Sequence, residues 1–182
     1  MADSLSATLV LDDGSLGSLA NHDRAWREAS GDWTIVLEDD VEPVPGFLDL
    51  ASEALRRVPE PAAVCFYVGT GKPRVGQVAR AVSQARAVGA SWLRMDRALW
   101  GPALALPTEL VPRMLSFVRW STKPYDERLS LFLRSRKIPC YYTFPSLVDH
   151  ADGHSLIAPA PTPRKAHETG RPTWSSDVVV DI

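Results

Sequence analysis

The chain has 182 residues, 45% of them hydrophobic, and a formal net charge of −2. That length and apolar content suit one good core and predict one domain, while the mild negative charge excludes a broad, charge-driven binder of nucleic acid or membranes. No apolar run approaches the ~20 residues of a membrane span and the start Met1-Ala2-Asp3-Ser4 has no signal pattern, so a cytoplasmic protein is expected.

In chain order, Ala7-Thr8-Leu9-Val10-Leu11 reads as a strand closed by the turn Asp12-Asp13-Gly14-Ser15. Asn21 to Ala29 fits a helix with Ala25 and Trp26 on its apolar side and Asn21 as its N-cap. Thr34 to Leu37 is a buried second strand, and Phe47, Leu50, Ala51, Ala54, Leu55 and Val58 follow at helical spacing, predicting a helix through about Arg57. Ala62 to Val68 predicts a third strand, with the loop Gly69-Thr70-Gly71-Lys72-Pro73 after it. A helix is expected from Val75 to Val88, then short strands at Trp92 to Met95 and Ala103 to Leu106 around a Trp100-Gly101-Pro102 break. Thr108 suits the cap of a helix Glu109 to Val118, and Tyr125 to Ser135 forms another. Pro139 to Phe144 is a final, half-buried strand. Cys65 and Cys140 each lie in an apolar run, too few for a disulfide framework, and are expected in the core. Past Ile157 the composition turns Pro-rich, predicting an arm over 158–182 that ends in a short strand at Val178 to Val180. Strands alternating with helices argue for an α/β sheet enclosed by helices.

Glu38-Asp39-Asp40 ends the Thr34 to Leu37 strand with three adjacent carboxylates. Like charges a few ångström apart raise one another's pKa, so such a cluster stores repulsion unless a cation sits among them. Hard oxygen ligands suit Mg²⁺ or Mn²⁺, whose shells are commonly completed by the phosphates of a substrate. The alternative is a strand that runs out into solvent through an acidic loop. Two further groups of residues admit both readings. Asp126 and Glu127 open a helix, where acids are favourable partners of its dipole, yet such an acid can also take a proton from an attacking hydroxyl. Asp149, His150, Asp152 and His154 share one short loop, and a neutral imidazole there is a competent ligand for Mn²⁺.

The segment Gly31-Asp32-Trp33-Thr34-Ile35-Val36-Leu37-Glu38-Asp39-Asp40-Val41-Glu42-Pro43-Val44-Pro45-Gly46-Phe47 resembles nucleotide-sugar glycosyltransferases of the GT-A fold, in which an acidic motif ends a central strand and a Pro-Gly-Phe turn leads into a helix. Leu37-Glu38-Asp39-Asp40-Val41 is especially like the lipopolysaccharide- and collagen-type galactosyltransferases and small bacteriophage glycosyltransferases. Lys123-Pro124-Tyr125-Asp126-Glu127-Arg128-Leu129 looks like the stretch that follows their acceptor loop, a place taken here by Leu99-Trp100-Gly101-Pro102-Ala103.

The resemblance covers Leu9 to Leu156 and implies a GT-A-like, Rossmann-like mixed sheet flanked by helices over 1–157. The strand and helix that usually open such a domain do not precede Ala7 here, so either the true start lies upstream or Ala7 to Leu11 takes the first strand's place in a minimal sheet. The resemblance further implies Mn²⁺ or Mg²⁺ held by Asp40, Glu38 and His150, with Asp12, Asp13, Asn21, Glu38 and Asp39 contacting a nucleotide-diphosphate sugar. Asp126 would be the catalytic base, with Glu127 second, and Arg74 or Arg80 would assist at the phosphates. A modified DNA base, a virion protein and a glycan all stand as acceptors, and inversion or retention stays open. The competing classes are a non-catalytic GT-A-like module and a metal-dependent phosphohydrolase or nucleotidyltransferase. The single dense acidic cluster argues against the hydrolase, and the lack of a Gly-rich basic loop near the N-terminus argues against the nucleotidyltransferase.

Overall fold

The computed structural model describes residues 5–28, 30–58, 61–151, 165–174 and 177–182. Its centre is the strand Ala103–Pro107 (β5), whose five residues are all buried, as a strand covered on both faces and both edges must be. On one side it pairs antiparallel with Trp33–Leu37 (β1), Leu37 opposite Ala103. On the other it pairs antiparallel with Ala63–Cys65 (β3). Beyond β3 come Cys140–Thr143 (β6), parallel to β3, then antiparallel Trp92–Met95 (β4), and last Val179–Asp181 (β8), parallel to β4. The six-stranded mixed sheet therefore runs β1-β5-β3-β6-β4-β8, with β1 at one edge. Val41–Pro43 (β2) and Val148–His150 (β7) make a separate antiparallel pair.

Five α-helices accompany these strands among the described residues: Ser18–Arg27 (α1), Phe47–Arg57 (α2), Val75–Val88 (α3), Val111–Val118 (α4) and Tyr125–Arg136 (α5). Each buries the stripe its spacing provides, such as Phe47, Leu50, Ala51 and Ala54 on α2. The chain is thus mixed α/β, and none of these helices is long and apolar enough to cross a membrane. The register aligns the C-terminal ends of β1, β3 and β6 with the start of β5. The other end of the sheet carries the end of β4 and the start of β6.

Several expectations need correction. Ala7 to Leu11 forms no strand, and Leu9 and Leu11 are 61% and 68% exposed. Its carbonyls are instead taken by side chains of α1: Asn21 Nδ2 donates to the Val10 oxygen at 3.2 Å and Arg24 to the Leu11 oxygen at 3.4 Å. Asn21 is accordingly inside α1, whose N-cap is Gly17. Thr108 does not cap α4. It opens a 3-10 turn, Thr108–Leu110, and its hydroxyl pairs with that of Thr34 at 2.9 Å. The third strand stops at Cys65, after which Phe66 N–H donates to Ala103 and Phe66 O accepts from Leu147.

The strand at 140–143 is fully buried and is followed by β7 and β8. Cys65 and Cys140 are buried as expected. The described part of the Pro-rich arm joins the domain: β8 extends the sheet, Trp174 packs against Trp92 at 5.2 Å, and Trp174 N–H donates to Ser91 Oγ.

Candidate functional site

β1 leaves the sheet at Leu37, and the Glu38 N–H donates to Pro102 O at 2.8 Å. Asp39 and Asp40 then make the turn into β2. The β2–β7 register sets Val41 opposite His150, so the residue before one strand lies beside the end of the other. Ala151 N–H donates to Asp40 O at 2.7 Å, and His150 Nε2 stands 3.2 Å from Asp40 Oδ2. The other ring nitrogen, Nδ1, lies 3.1 Å from the Ala151 carbonyl. A carbonyl only accepts, so Nδ1 carries the hydrogen, and Nε2 faces a carboxylate oxygen. Those two atoms repel unless a proton or a cation lies between them.

One ligand atom from each of Glu38, Asp40 and His150 lies within 4.8 Å of the others. Metal–oxygen bonds of ~2.1 Å place donor atoms roughly 3.0 to 4.2 Å apart around an octahedral ion, so small side-chain movements suffice to close this set. Asp40 Oδ1 is buried without a hydrogen-bond partner among the described residues, as a vacant ligand atom would be. Two carboxylates and one imidazole suit Mn²⁺ better than the harder Mg²⁺. Residues and ion fit.

Burial, followed by the charge of Asp40, raises the Glu38 carboxyl from 4.5 to about 7, against the Tyr125 hydroxyl and His150, which favour its ionised form. Tyr125 opens α5. Its hydroxyl donates to the Gly101 carbonyl, and its ring stacks on His22 of α1 with centroids 3.7 Å apart. Burial holds the His22 imidazole below its ordinary value, with Asp23 and Asp39 opposing, so it is neutral at pH 7.

Gly101 is required by this approach, because a Cβ built there overlaps the Tyr125 phenol. Gly101→Ala is expected to cost about 2 kcal/mol through displacement of that ring, read by thermal unfolding. An unchanged melting temperature would refute the contact.

The expected acids separate clearly. Asp126 is drawn into the cluster: its carboxyl is raised, chiefly by burial, and its charge acts on Glu38. Glu127 is exposed and pairs with Lys123 at 2.9 Å, which leaves it a surface ion pair. Asp39 is exposed at the turn, near enough to His22 to influence it. Asp12 Oδ1 accepts from the N–H groups of Gly14 and Leu16, and Asp13 Oδ1 from Ser15, so both carboxylates serve their own exposed turn. No hydrogen bond or ion pair among the described residues links them to Glu38 or Asp40. Asn21 keeps its oxygen buried without a hydrogen-bond partner among the described residues.

Arg74 lines a cavity at the opposite end of the sheet, which removes it from the phosphate role expected of it. Asp149 accepts from the N–H groups of His150 and Ala166 and fixes the loop. Asp152 and His154 lie outside the described residues. Trp26 is core, as expected.

Reading the sequence did not single out His22, the phenol of Tyr125, or the fork of Arg128 on Asp23, at 2.9 and 3.0 Å. Arg128 also donates to Val118 O at 3.2 Å, so one guanidinium joins α1, α4 and α5 behind the site. These partners are about a hundred residues apart in sequence, and no local pattern marks them. A scan against protein-family models and a search of the curated proteins both return no match.

Proposed function

We propose that the protein is a metal-dependent glycosyltransferase of GT-A type, moving a sugar from a nucleotide-diphosphate sugar to a hydroxyl of an acceptor. The observation that carries the metal is the set Glu38, Asp40 and His150, whose ligand atoms lie within 4.8 Å of one another and include a carboxylate with one buried oxygen unpartnered among the described residues. The transferase chemistry rests on the resemblance of the Glu38-Asp39-Asp40 and Pro124 to Leu129 segments, together with the meeting of both at one sheet end. A bound Mn²⁺ would neutralise the diphosphate and the charge that develops on it as the sugar departs.

The chain's own groups then divide the work. Glu38, Asp40 and His150 hold the ion, and the Tyr125 phenol lies near enough to act on Glu38 electrostatically. The Asp126 carboxyl, raised by burial, accepts the acceptor's hydroxyl proton. Asp39, exposed at the turn, is placed to orient the donor sugar. A DNA base, a virion protein and a glycan remain the acceptor classes to screen.

The test is calorimetry with UDP and GDP, in Mn²⁺ or in EDTA. One nucleotide should bind only with the metal, and Asp40→Ala should weaken that binding at least about a hundredfold, as loss of a ligand does. A folded protein that binds neither nucleotide in Mn²⁺ would point to the non-catalytic module. Cleavage of the donor's diphosphate by water to nucleoside monophosphate and sugar phosphate, at the same rate with and without acceptors, would point to the phosphohydrolase.

A further inference from the structure

A cavity of about 830 Å³ at the sheet end remote from Glu38 is lined by Arg74, Arg94, Arg97, Arg134 and Lys137, with Asp96 and Asp181. The two carboxylates engage three of the cations. Arg94 forks onto Asp181 at 2.7 and 3.0 Å, Arg97 forks onto Asp96 at 2.7 and 3.1 Å, and Arg134 reaches the same Asp96 at 3.3 Å. Five cationic side chains against two side-chain carboxylates leave three positive side-chain charges in excess, of which the terminal carboxylate of Ile182, also in the lining, offsets one. Arg74 donates only to the neutral Gln77 among the described residues, and no carboxylate among them pairs with Lys137.

The helix ends do not supply the missing anion. Arg134 and Lys137 stand at the C-terminus of α5, whose roughly half negative charge is offset by the roughly half positive charge at the start of α3. That start has no side-chain cap and no acid in its first turn.

Crowding of like charges around one concavity, with fewer counter-charges than cations, is how a protein holds an anion ready to bind. Arg74 bears on Asp96 electrostatically, alongside the nearer Arg97 and Arg134, so the cations share one field. The volume lies within the range of small-molecule sites, and Met95 and Ile138 give the cavity an apolar wall. Guanidinium forks match phosphate oxygens in pairs, which favours phosphate over a simple halide or monocarboxylate.

We infer that this cavity is a second binding site, distinct from the acidic end, for a phosphorylated small molecule carrying two or three negative charges. Its recognition elements are Arg74, Arg134 and Lys137, with Arg94 and Arg97 held in place by their aspartates.

The experiment is calorimetric titration in EDTA at physiological salt, with pyrophosphate and ADP as separate probes, so that the acidic end has no metal to recruit phosphate. Wild type should bind pyrophosphate saturably. Arg74→Glu/Lys137→Glu should weaken that binding at least tenfold, Arg134→Glu should weaken it independently, and Asp40→Ala should leave it unchanged. All three positions of the charge reversals are exposed, and urea unfolding checks that the fold is kept.

Tighter binding of ADP than of pyrophosphate would place the organic part on the apolar wall. Equal binding would assign the site to phosphate groups alone. The inference falls if wild type shows no saturable binding, if the charge reversals leave binding intact, or if Asp40→Ala abolishes it. It falls as well if a single-stranded oligonucleotide displaces pyrophosphate at far lower concentration, since the ligand would then be a polymer. Failure of the metal-dependent nucleotide test at Asp40 leaves these outcomes unaffected.

Discussion

Glu38→Gln should make the metal-free protein more stable at pH 8, by about 2 kcal/mol after discounting for the partial exposure of the carboxylate, while removing its affinity for Mn²⁺. The folded-state value of Glu38 is about 7 against an ordinary 4.5. Between those pH values the folded chain holds a proton that the unfolded chain has released. Stability from this group is therefore complete below about pH 4.5 and is lost progressively as pH rises to about 7. Glutamine carries no charge and avoids the loss, so the variant and wild type should coincide near pH 4.5 and diverge above it.

Urea unfolding in EDTA at pH 5 and pH 8 gives both numbers, and added Mn²⁺ should stabilise wild type alone at pH 8. A variant less stable than wild type at pH 8 in EDTA would show that the Glu38 charge is already compensated. The same proton sets the metal's pH dependence: affinity should rise with pH up to about 7, because binding must displace it.

Asp23→Ala should cost about 3 kcal/mol, because it strands a buried charge. The Arg128 side chain is only 4% exposed, and its Nε already lacks a partner among the described residues. With Asp23 gone, the guanidinium keeps a single carbonyl acceptor, Val118 O. Asp23→Asn should cost less, since one amide oxygen still accepts. Replacing both partners by apolar residues, Asp23→Leu with Arg128→Met, should recover most of the loss, as removing a buried pair is far cheaper than breaking one. Urea midpoints of the four proteins settle the order. A loss below 1 kcal/mol for Asp23→Ala would mean that water reaches Arg128 and that the three helices do not depend on it.

The acidic strand end and the helices α2, α3 and α5 were legible because hydrophobic spacing is a local property. Val75 to Val88 matches its helix residue for residue. Ala7 to Leu11 was misread for the complementary reason: a short apolar run closed by a turn suits extended backbone, whereas a strand also needs a neighbour, and side chains of α1 take the Val10 and Leu11 carbonyls. Thr108 carried cap chemistry but found Thr34 across the β1–β5 ladder. Arg74 follows a loop that leaves β3 at the acidic end, so proximity in sequence suggested a role there, but the chain crosses to the other end before α3 begins. Glu38, Asp40 and His150 were foreseen together from a resemblance. The stack of Tyr125 on His22 and the fork on Asp23 depend on helix packing, which spacing does not encode.

β1 bears the acidic end and, among the described residues, is an edge strand paired through β5 alone. Its five residues, Trp33-Thr34-Ile35-Val36-Leu37, include no charge, proline or glycine, the usual devices that keep one sheet from adding to another. Colloidal behaviour and the state of the acidic end are therefore linked. The repulsion among Glu38, Asp39 and Asp40 discourages two such edges from meeting, and neutralising it with divalent ions removes that protection. Concentrated stocks of the protein are best kept in chelator, with metal added only at the dilution of the assay.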